Sequence, residues 1–301
     1  HTTPYSIIAL QEVYLYHEYP SLYWNTACLT VNAQSMDADE IEGVETVAKA
    51  TDYRKMATAI GNMQSYGVNV SLPDINKSDF GFKVDLEGDR ILFGLKAVTR
   101  IGDDLVNEII TNRPYKDIDD FQEKVKTNVL QMLNLIKAGS FDPLYPERTR
   151  EDIMKEFIWS VSNPKKVLNL RNFNGLIQAG LVPDELEFTK RVYGYSQILK
   201  KHFKKDNYFI LENEQLLEFF NEHFDTSLLD VVDGEYAIDQ KIFDKQIYQP
   251  EMDNARAWLK ADQEKVLEQF NNHLFEEQWE KYGVGNISSW EMDSVSFYYH
   301  E

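Results

Sequence analysis

Apolar residues recur at helical spacing along most of the chain. Tyr5, Ile8, Leu10, Val13, Tyr14 and Leu15 form an apolar face, and Pro4 suits a first helical turn. Pro20 disfavours helix at Tyr19. Tyr23, Trp24, Ala27, Cys28 and Val31 then continue in a second helix, so residues 4–33 read as helical with one break. Residues 34–43 are acidic and loop-like. A further helix is expected from Val44 to about Tyr66, closed by Gly67 as a C-terminal cap. The period then changes to two. Val68 and Val70 alternate with polar residues, "SLPD" turns, Phe80, Phe82 and Val84 alternate again, and "EGDR" (87–90) turns into "ILFGL". From Asp103 helices are predicted almost to the end: 103–112, 117–125, 128–138, 149–160, 167–178, 184–203, 212–223 and 253–281. The expected fold class is mainly α with a small β-sheet insert (α+β).

One internal repeat lies within the helical part. "NVLQMLNLIKAG" (128–139) and "NLRNFNGLIQAG" (169–180) align without gaps at an offset of 41, sharing the Asn, Leu-Ile and Ala-Gly positions. Two readings are open: a repeated helical unit capped by glycine, or chance similarity between two helix ends.

At 301 residues, 43% of them hydrophobic, the chain suffices for one large domain or two ordinary ones. No apolar run approaches the ~20 residues that span a bilayer. No signal peptide is legible, and a first residue of His rather than Met reads as a piece of something longer. Cys28 is the only cysteine. That excludes an internal disulfide and a cysteine-rich metal site and fits a reducing cytosol. The net charge of −19 speaks against a polyanion as partner. The charge is uneven, however. Residues 1–150 carry −7, residues 151–205 carry +4 and residues 206–301 carry −16, so a local basic patch stays open to nucleic acid.

"AVTRIGDDLVNEIITNR" (97–113) joins an apolar segment to a helix through a tight turn at Gly102, a candidate helix-hairpin-helix. Glycine lets the backbone approach a phosphate, and the helix behind it offers unpaired N–H groups and a positive dipole end. Lys96, Arg100 and Arg113 flank this turn, while Asp103 and Asp104 compete with a phosphate there. A purely structural helical hairpin is the alternative. "LIKAGSFD" supplies a second turn, with Lys137, Gly139, Arg148 and Arg150 as further candidates for backbone contact. "PKKVLNLR" (164–171) and "KKHFKK" (200–205) add basic surface with Tyr193, Tyr195, His202, Phe203 and Tyr208 interleaved. That mixture suits single strands, or a helix with a basic outer face and an aromatic core face. No Walker loop, no Cys or His ligand cluster, no glycine-flanked serine and no closely spaced acidic pair for two Mg²⁺ ions is legible. Neither a catalytic nor a metal-ligating residue is assigned.

Together these segments resemble one family, the C-family replicative DNA polymerases of bacteria and their phages, typified by the DNA polymerase III alpha subunit. "HTTPYSIIALQEVYLYHEYP" is similar through His1, Tyr5, Ser6, Gln11, Leu15, Tyr19 and Pro20, and "YGVNVSLPDINKSDFGF" through Gly67, Pro73, Asp74, Asn76, Ser78 and Phe82. "ILFGLKAVTRIGDDLVNEIITNR", "LNLIKAGSFDPLYPER" and "WEMDSVSFYYHE" follow in the family's order. The resemblance is close over 1–150 and 289–301 and loose between. Arg100 stands where the family has the first hairpin glycine, Tyr16 where it has a lysine, and Glu18 where histidine is common.

The resemblance implies residues 1–66 as part of the polymerase fingers, 67–95 as a small β connector and 96–150 as the helix-hairpin-helix duplex-binding region. It leaves 151–205 as a basic helical extension and 206–301 as an acidic helical region leading toward an OB-fold. It implies His1, Tyr5 and Gln11 near nucleotide and template. It implies Lys96, Arg100, Gly102, Arg113, Lys137, Gly139 and Arg148 on the DNA backbone. The implied partners are primer-template DNA, deoxynucleoside triphosphates, a sliding clamp and other replisome proteins, with no membrane and a cytoplasmic setting. Mg²⁺ would be held by palm aspartates upstream of His1. For clamp binding, "QLLEFF" (215–220) and "QKIF" (240–243) are poor matches to the expected peptide. A non-catalytic DNA-binding or replisome interaction protein related to the polymerase, and a plain acidic helical adaptor, are the alternative functions.

Overall fold

The computed structural model describes residues 2–33 and 52–300. It divides into two compact units, one of residues 1–161 with 278–301 and the other of residues 162–277.

In the first unit, α1 (Thr2–Glu18) and α2 (Ser21–Ala33) flank the break at Pro20, and α3 (Tyr53–Ser65) packs on α2. The first part of the helix expected from Val44 falls outside the described residues. Along α1 the large apolar side chains, Ile7, Leu10, Val13 and Tyr14 among them, are exposed on every side. α3 ends as its sequence requires. Gly67 takes φ 79, and the N–H groups of Gly67 and Val68 donate to Gln64 and Met63, the glycine-capped ending of a helix. A three-stranded sheet follows: β1 (Val70–Ser71), β2 (Lys83–Asp85) and β3 (Arg90–Leu92), in the order β1-β3-β2. β2 and β3 form the expected hairpin, with Val84 opposite Ile91, while β1 joins β3 in parallel.

The expected helices then appear within a residue or two: α4 (Asp103–Thr111), α5 (Ile118–Lys124), α6 (Val129–Lys137) and α7 (Arg150–Val161). Local chemistry explains this. Asp117 caps α5, and Asn128 with Gln131 makes a capping box at the start of α6. An aromatic chain runs through the core. Phe82 meets Phe93 at 5.0 Å, Tyr115 meets Phe121 at 4.9 Å and Phe121 meets Phe141 at 5.2 Å.

The second unit begins with a 3-10 turn, α8 (Phe173–Gln178) and α9 (Glu187–His202). Between the expected helices 184–203, 212–223 and 253–281, in stretches given no strand from sequence, lies a four-stranded antiparallel sheet. Its strands are β4 (Lys204–Lys205), β5 (Tyr208–Ile210), β6 (Leu229–Val232) and β7 (Glu235–Asp239), in the order β4-β5-β7-β6. Asp233 and Gly234, at φ 52 and 91, make the two-residue turn between β6 and β7 that positive-φ residues favour. α10 (Glu214–His223) separates β5 from β6. α11 (Gln240–Ile242), a π-helical turn and α12 (Gln249–Ala261) lead into α13 (Gln263–Tyr282). One core gathers Leu199, Phe209, Phe219, Phe220, Ile238 and Phe243; a second gathers Phe173, Leu176, Met252 and Phe270. The apolar residues of both "QLLEFF" and "QKIF" are thus spent on packing. Tyr195 lies 4.5 Å from Phe219 and Tyr193 lies 5.2 Å from Phe173, so these aromatic residues form core contacts beneath the basic helix face.

The repeat has a structural counterpart. Ala138, Gly139 and Ser140 donate to Asn134, Ile136 and Leu135; Ala179, Gly180 and Leu181 donate to Gly175, Ile177 and Leu176. Gly139 and Gly180 take φ 76 and 68, and both segments start at an asparagine capping box.

The residues from Gln278 onward fall within the span read from sequence as an acidic helical region leading toward an OB-fold. They belong to the first unit, where α14 (Ile287–Val295) packs against α6 and Phe297 stacks on Phe93 at 5.6 Å. Burial of Trp290, Val295 and Phe297 drives that return.

Candidate nucleic-acid interface

"PDINKS" holds the first unit together locally. Asp74 accepts from the N–H groups of Asn76 and Lys77 at 2.8 and 3.2 Å, an Asx turn, and donates its own N–H to Ser78 Oγ at 2.9 Å. Ile75 N–H donates to Ser140 O at 2.9 Å, just beyond Gly139. The Asn76 amide exchanges two 2.8 Å bonds with the Tyr115 backbone beyond α4. Asn76 thus ties the loop to a residue 39 positions further on.

Arg113 closes this loop. Its guanidinium donates to Ile75 O at 2.8 Å and to Ser78 O, and it lies 3.8 Å from Asp79. With its side chain 14% exposed, it is committed to the fold rather than offered to a duplex. Three acceptors within one loop thus hold the cation that the resemblance places on the DNA backbone.

The first turn runs from a 3-10 segment (Leu95–Ala97) to α4. Gly102 is the N-cap of α4, with φ −88 and ψ 167, a conformation open to any residue. A Cβ placed there meets nothing within 4 Å. Neither backbone nor packing demands glycine, and the ground before the α4 N–H groups is open. The positive φ of this turn falls on Arg100, at 67. Its side chain is exposed, whereas Lys96 is paired with Asp103.

At the second turn Gly139 is required twice, by its φ and by space. A Cβ there would lie 2.5 Å from Arg150 Nη2 and 2.9 Å from Asp142 Oδ2. Arg150, taken from sequence as an exposed candidate, is buried. It bonds Asp142 at 2.6 Å, Glu291 at 3.1 Å and Lys137 O at 3.1 Å. Glu291, wholly buried, also accepts from the N–H groups of Tyr299 and His300 and lies 2.6 Å from the His300 ring. Arg148 stays at the surface, 5.3 Å over the Tyr145 ring and paired with Glu156.

The two turns meet at an open cleft of ≈430 Å³. Arg100 and Thr99 come to it from the first turn and Lys137 from α6, with Leu130 and Leu133 at its apolar side. Lys281, Tyr282 and Asp293 also line it, and Asp293 lies 3.4 Å from Lys137. Sequence reading places Arg100 and Lys137 here but misses Lys281 and Tyr282, for which no local pattern exists. Tyr5 and Gln11 are exposed on α1, about 120° apart around the helix. Gln11 lies in a shallow apolar groove with Leu10, Tyr14 and Leu15. His1 lies outside the described residues.

A helix-hairpin-helix motif model matches residues 67–151, a span containing the "PDINKS" loop, the small sheet and both turns. Over its full length the chain is 42% identical to the probable DNA polymerase YorL of Bacillus subtilis (strain 168). It is equally similar to the DNA-directed DNA polymerase of Bacillus phage SPbeta. It is 30% identical to the DNA polymerase III subunit alpha of Thermus aquaticus over 47% of its length. The chain belongs to the C-family DNA polymerases. It spans 23% of the length of the Bacillus subtilis and phage relatives and 11% of the Thermus protein.

Proposed function

We propose that this chain is the part of a DNA-directed DNA polymerase that holds the primer-template duplex, while its N-terminal helices belong to the fingers. The observation that carries this reading is the convergence of Arg100 and Lys137, from two successive hairpin turns, on one cleft in a chain of net charge −19. Such cations, with the open N–H groups behind Gly102, suit phosphates and therefore hold a duplex of any sequence. Gly139 and Lys96 support the turns instead of touching DNA, and Arg148 adds a surface cation. Similarity to proteins named as DNA polymerases supports templated nucleotide addition as the whole protein's activity.

On this reading Tyr5 and Gln11 lie toward nucleotide and template, and the partners are primer-template DNA and deoxynucleoside triphosphates. A sliding clamp would engage residues other than the two buried candidate peptides. Phosphoryl transfer in such enzymes draws on divalent cations, and Mg²⁺ is assigned to carboxylates upstream of His1. Among the described residues no group of three or more His, Cys, Asp or Glu is placed to hold a metal ion. On this reading the chain contributes by positioning the duplex. No described helix is long and apolar enough to cross a membrane; the bacterial cytoplasm, where template and nucleotides occur together, is the setting proposed.

Primer extension by a polymerase carrying this chain tests the reading. Arg100→Ala is expected to raise KM for primer-template by roughly threefold to tenfold. The nucleotide KM should stay in place. A changed nucleotide KM with an unchanged primer-template KM would contradict it.

A further inference from the structure

We propose that Lys281 and Tyr282, at the end of α13, complete a phosphate site with Arg100, and that this site takes one phosphodiester of the duplex backbone. The proposal rests on the duplex-holding reading above. It adds a contact from a segment outside both hairpins.

Backbone conformation is the first support. Arg100 is held at φ 67, a region that side chains with a Cβ rarely occupy. A strained residue persists where the surrounding structure over-determines it. Glycine would fit this turn at no steric cost, so what arginine adds is its guanidinium.

Charge is the second. The cleft holds three cations, Arg100, Lys137 and Lys281, and one carboxylate, Asp293. Asp293 is engaged by Lys137 at 3.4 Å. Among the described residues neither Arg100 nor Lys281 has an ion-pair partner, whereas Lys96, Arg113, Arg148 and Arg150 are all paired. Two uncompensated cations on one concavity form an incomplete anion site in an otherwise acidic protein.

Shape and chemistry are the third. The Lys281 ammonium sits 4.7 Å from the Tyr282 ring centroid, which restrains where it points. Leu130 and Leu133 give the cleft an apolar side suited to a sugar, and its ≈430 Å³ exceeds what an isolated phosphate would fill. A free triphosphate brings several negative charges and would need more counter-charge than two cations. One phosphodiester with its sugar matches both the charge and the surface.

Fluorescence anisotropy on the whole chain tests this, with a labelled duplex of arbitrary sequence, a single strand of equal length, and inorganic triphosphate as competitor. Lys281→Ala is expected to weaken duplex binding by roughly threefold to tenfold and to flatten the slope of log K against log salt by about 1. Lys281→Arg should restore both. An equal loss on the single strand would keep the phosphodiester assignment, and triphosphate should compete only weakly. Duplex binding with unchanged affinity and slope in Lys281→Ala would overturn the site and leave the hairpin reading standing. Displacement of duplex by low triphosphate would overturn the phosphodiester assignment. No duplex binding by the unaltered chain would remove the hairpin reading, and this site with it.

Discussion

Arg150→Ala is expected to cost about 3–5 kcal/mol of folding stability, the range for breaking a buried ion pair from one side. The substitution strands Glu291, which is fully buried, and removes the donor that satisfies Lys137 O and Asp142. Urea unfolding of the whole chain measures this. A loss below about 1 kcal/mol would place the network among weak surface pairs. The same network predicts a pH dependence. Burial pushes the Glu291 carboxyl up, but hydrogen bonds from His300 backbone and ring, Tyr299 and Arg150 together hold it below the ordinary value of 4.5. Its folded value is depressed, so its contribution is complete above 4.5 and fades as the pH falls through the lower folded value. Asp142 runs the other way, since burial raises its carboxyl despite Arg150. The stability gap between the unaltered chain and Glu291→Gln should therefore narrow as the pH falls below 4.5.

Gly139→Ala is the second large effect, and Gly180→Ala is its control. Both glycines end matching helices at nearly equal positive φ. That conformation alone costs an alanine roughly 1–2 kcal/mol. At Gly180 a Cβ meets nothing within 4 Å, so the cost should stop there. At Gly139 the Cβ would also strike Arg150 and Asp142, displacing the buried network. A total of about 3 kcal/mol or more is expected for Gly139→Ala. Equal losses at the two positions, measured by the same urea unfolding, would show that Arg150 yields without cost.

These two glycines also mark how far sequence reading reaches. The repeat at an offset of 41 is visible in the letters, and its hydrogen bonds match because a helix end is local chemistry. What distinguishes the copies is not local. Arg150 over Gly139 depends on Glu291, 141 residues further on. The helices from α4 to α7 were legible because caps such as Asp117 and Asn128 lie beside the apolar patterns they start. The β4–β7 sheet was not, although Asp233-Gly234 between Val232 and Tyr236 is a hairpin signal. Its strands are two to five residues long, and the acidic composition around them dominates the pattern.

At the candidate site, residue type was readable and partner choice was not. Lys96, Arg100, Arg113 and Lys137 look alike as cations near two turns. Asp103, the "PDINKS" carbonyls and Asp293 engage three of them and leave Arg100 unpaired. Lys281 and Tyr282 belong to an acidic helix, and only folding brings them to the first turn.

The central claim is that this chain grips a duplex through its phosphates. Its most direct test is equilibrium binding of two duplexes of unrelated sequence across a range of salt. Equal affinity for both is expected, with log K falling linearly against log salt at a slope near −0.9 per phosphate engaged. A flat salt response, strong preference for one sequence, or no binding at low salt would contradict it.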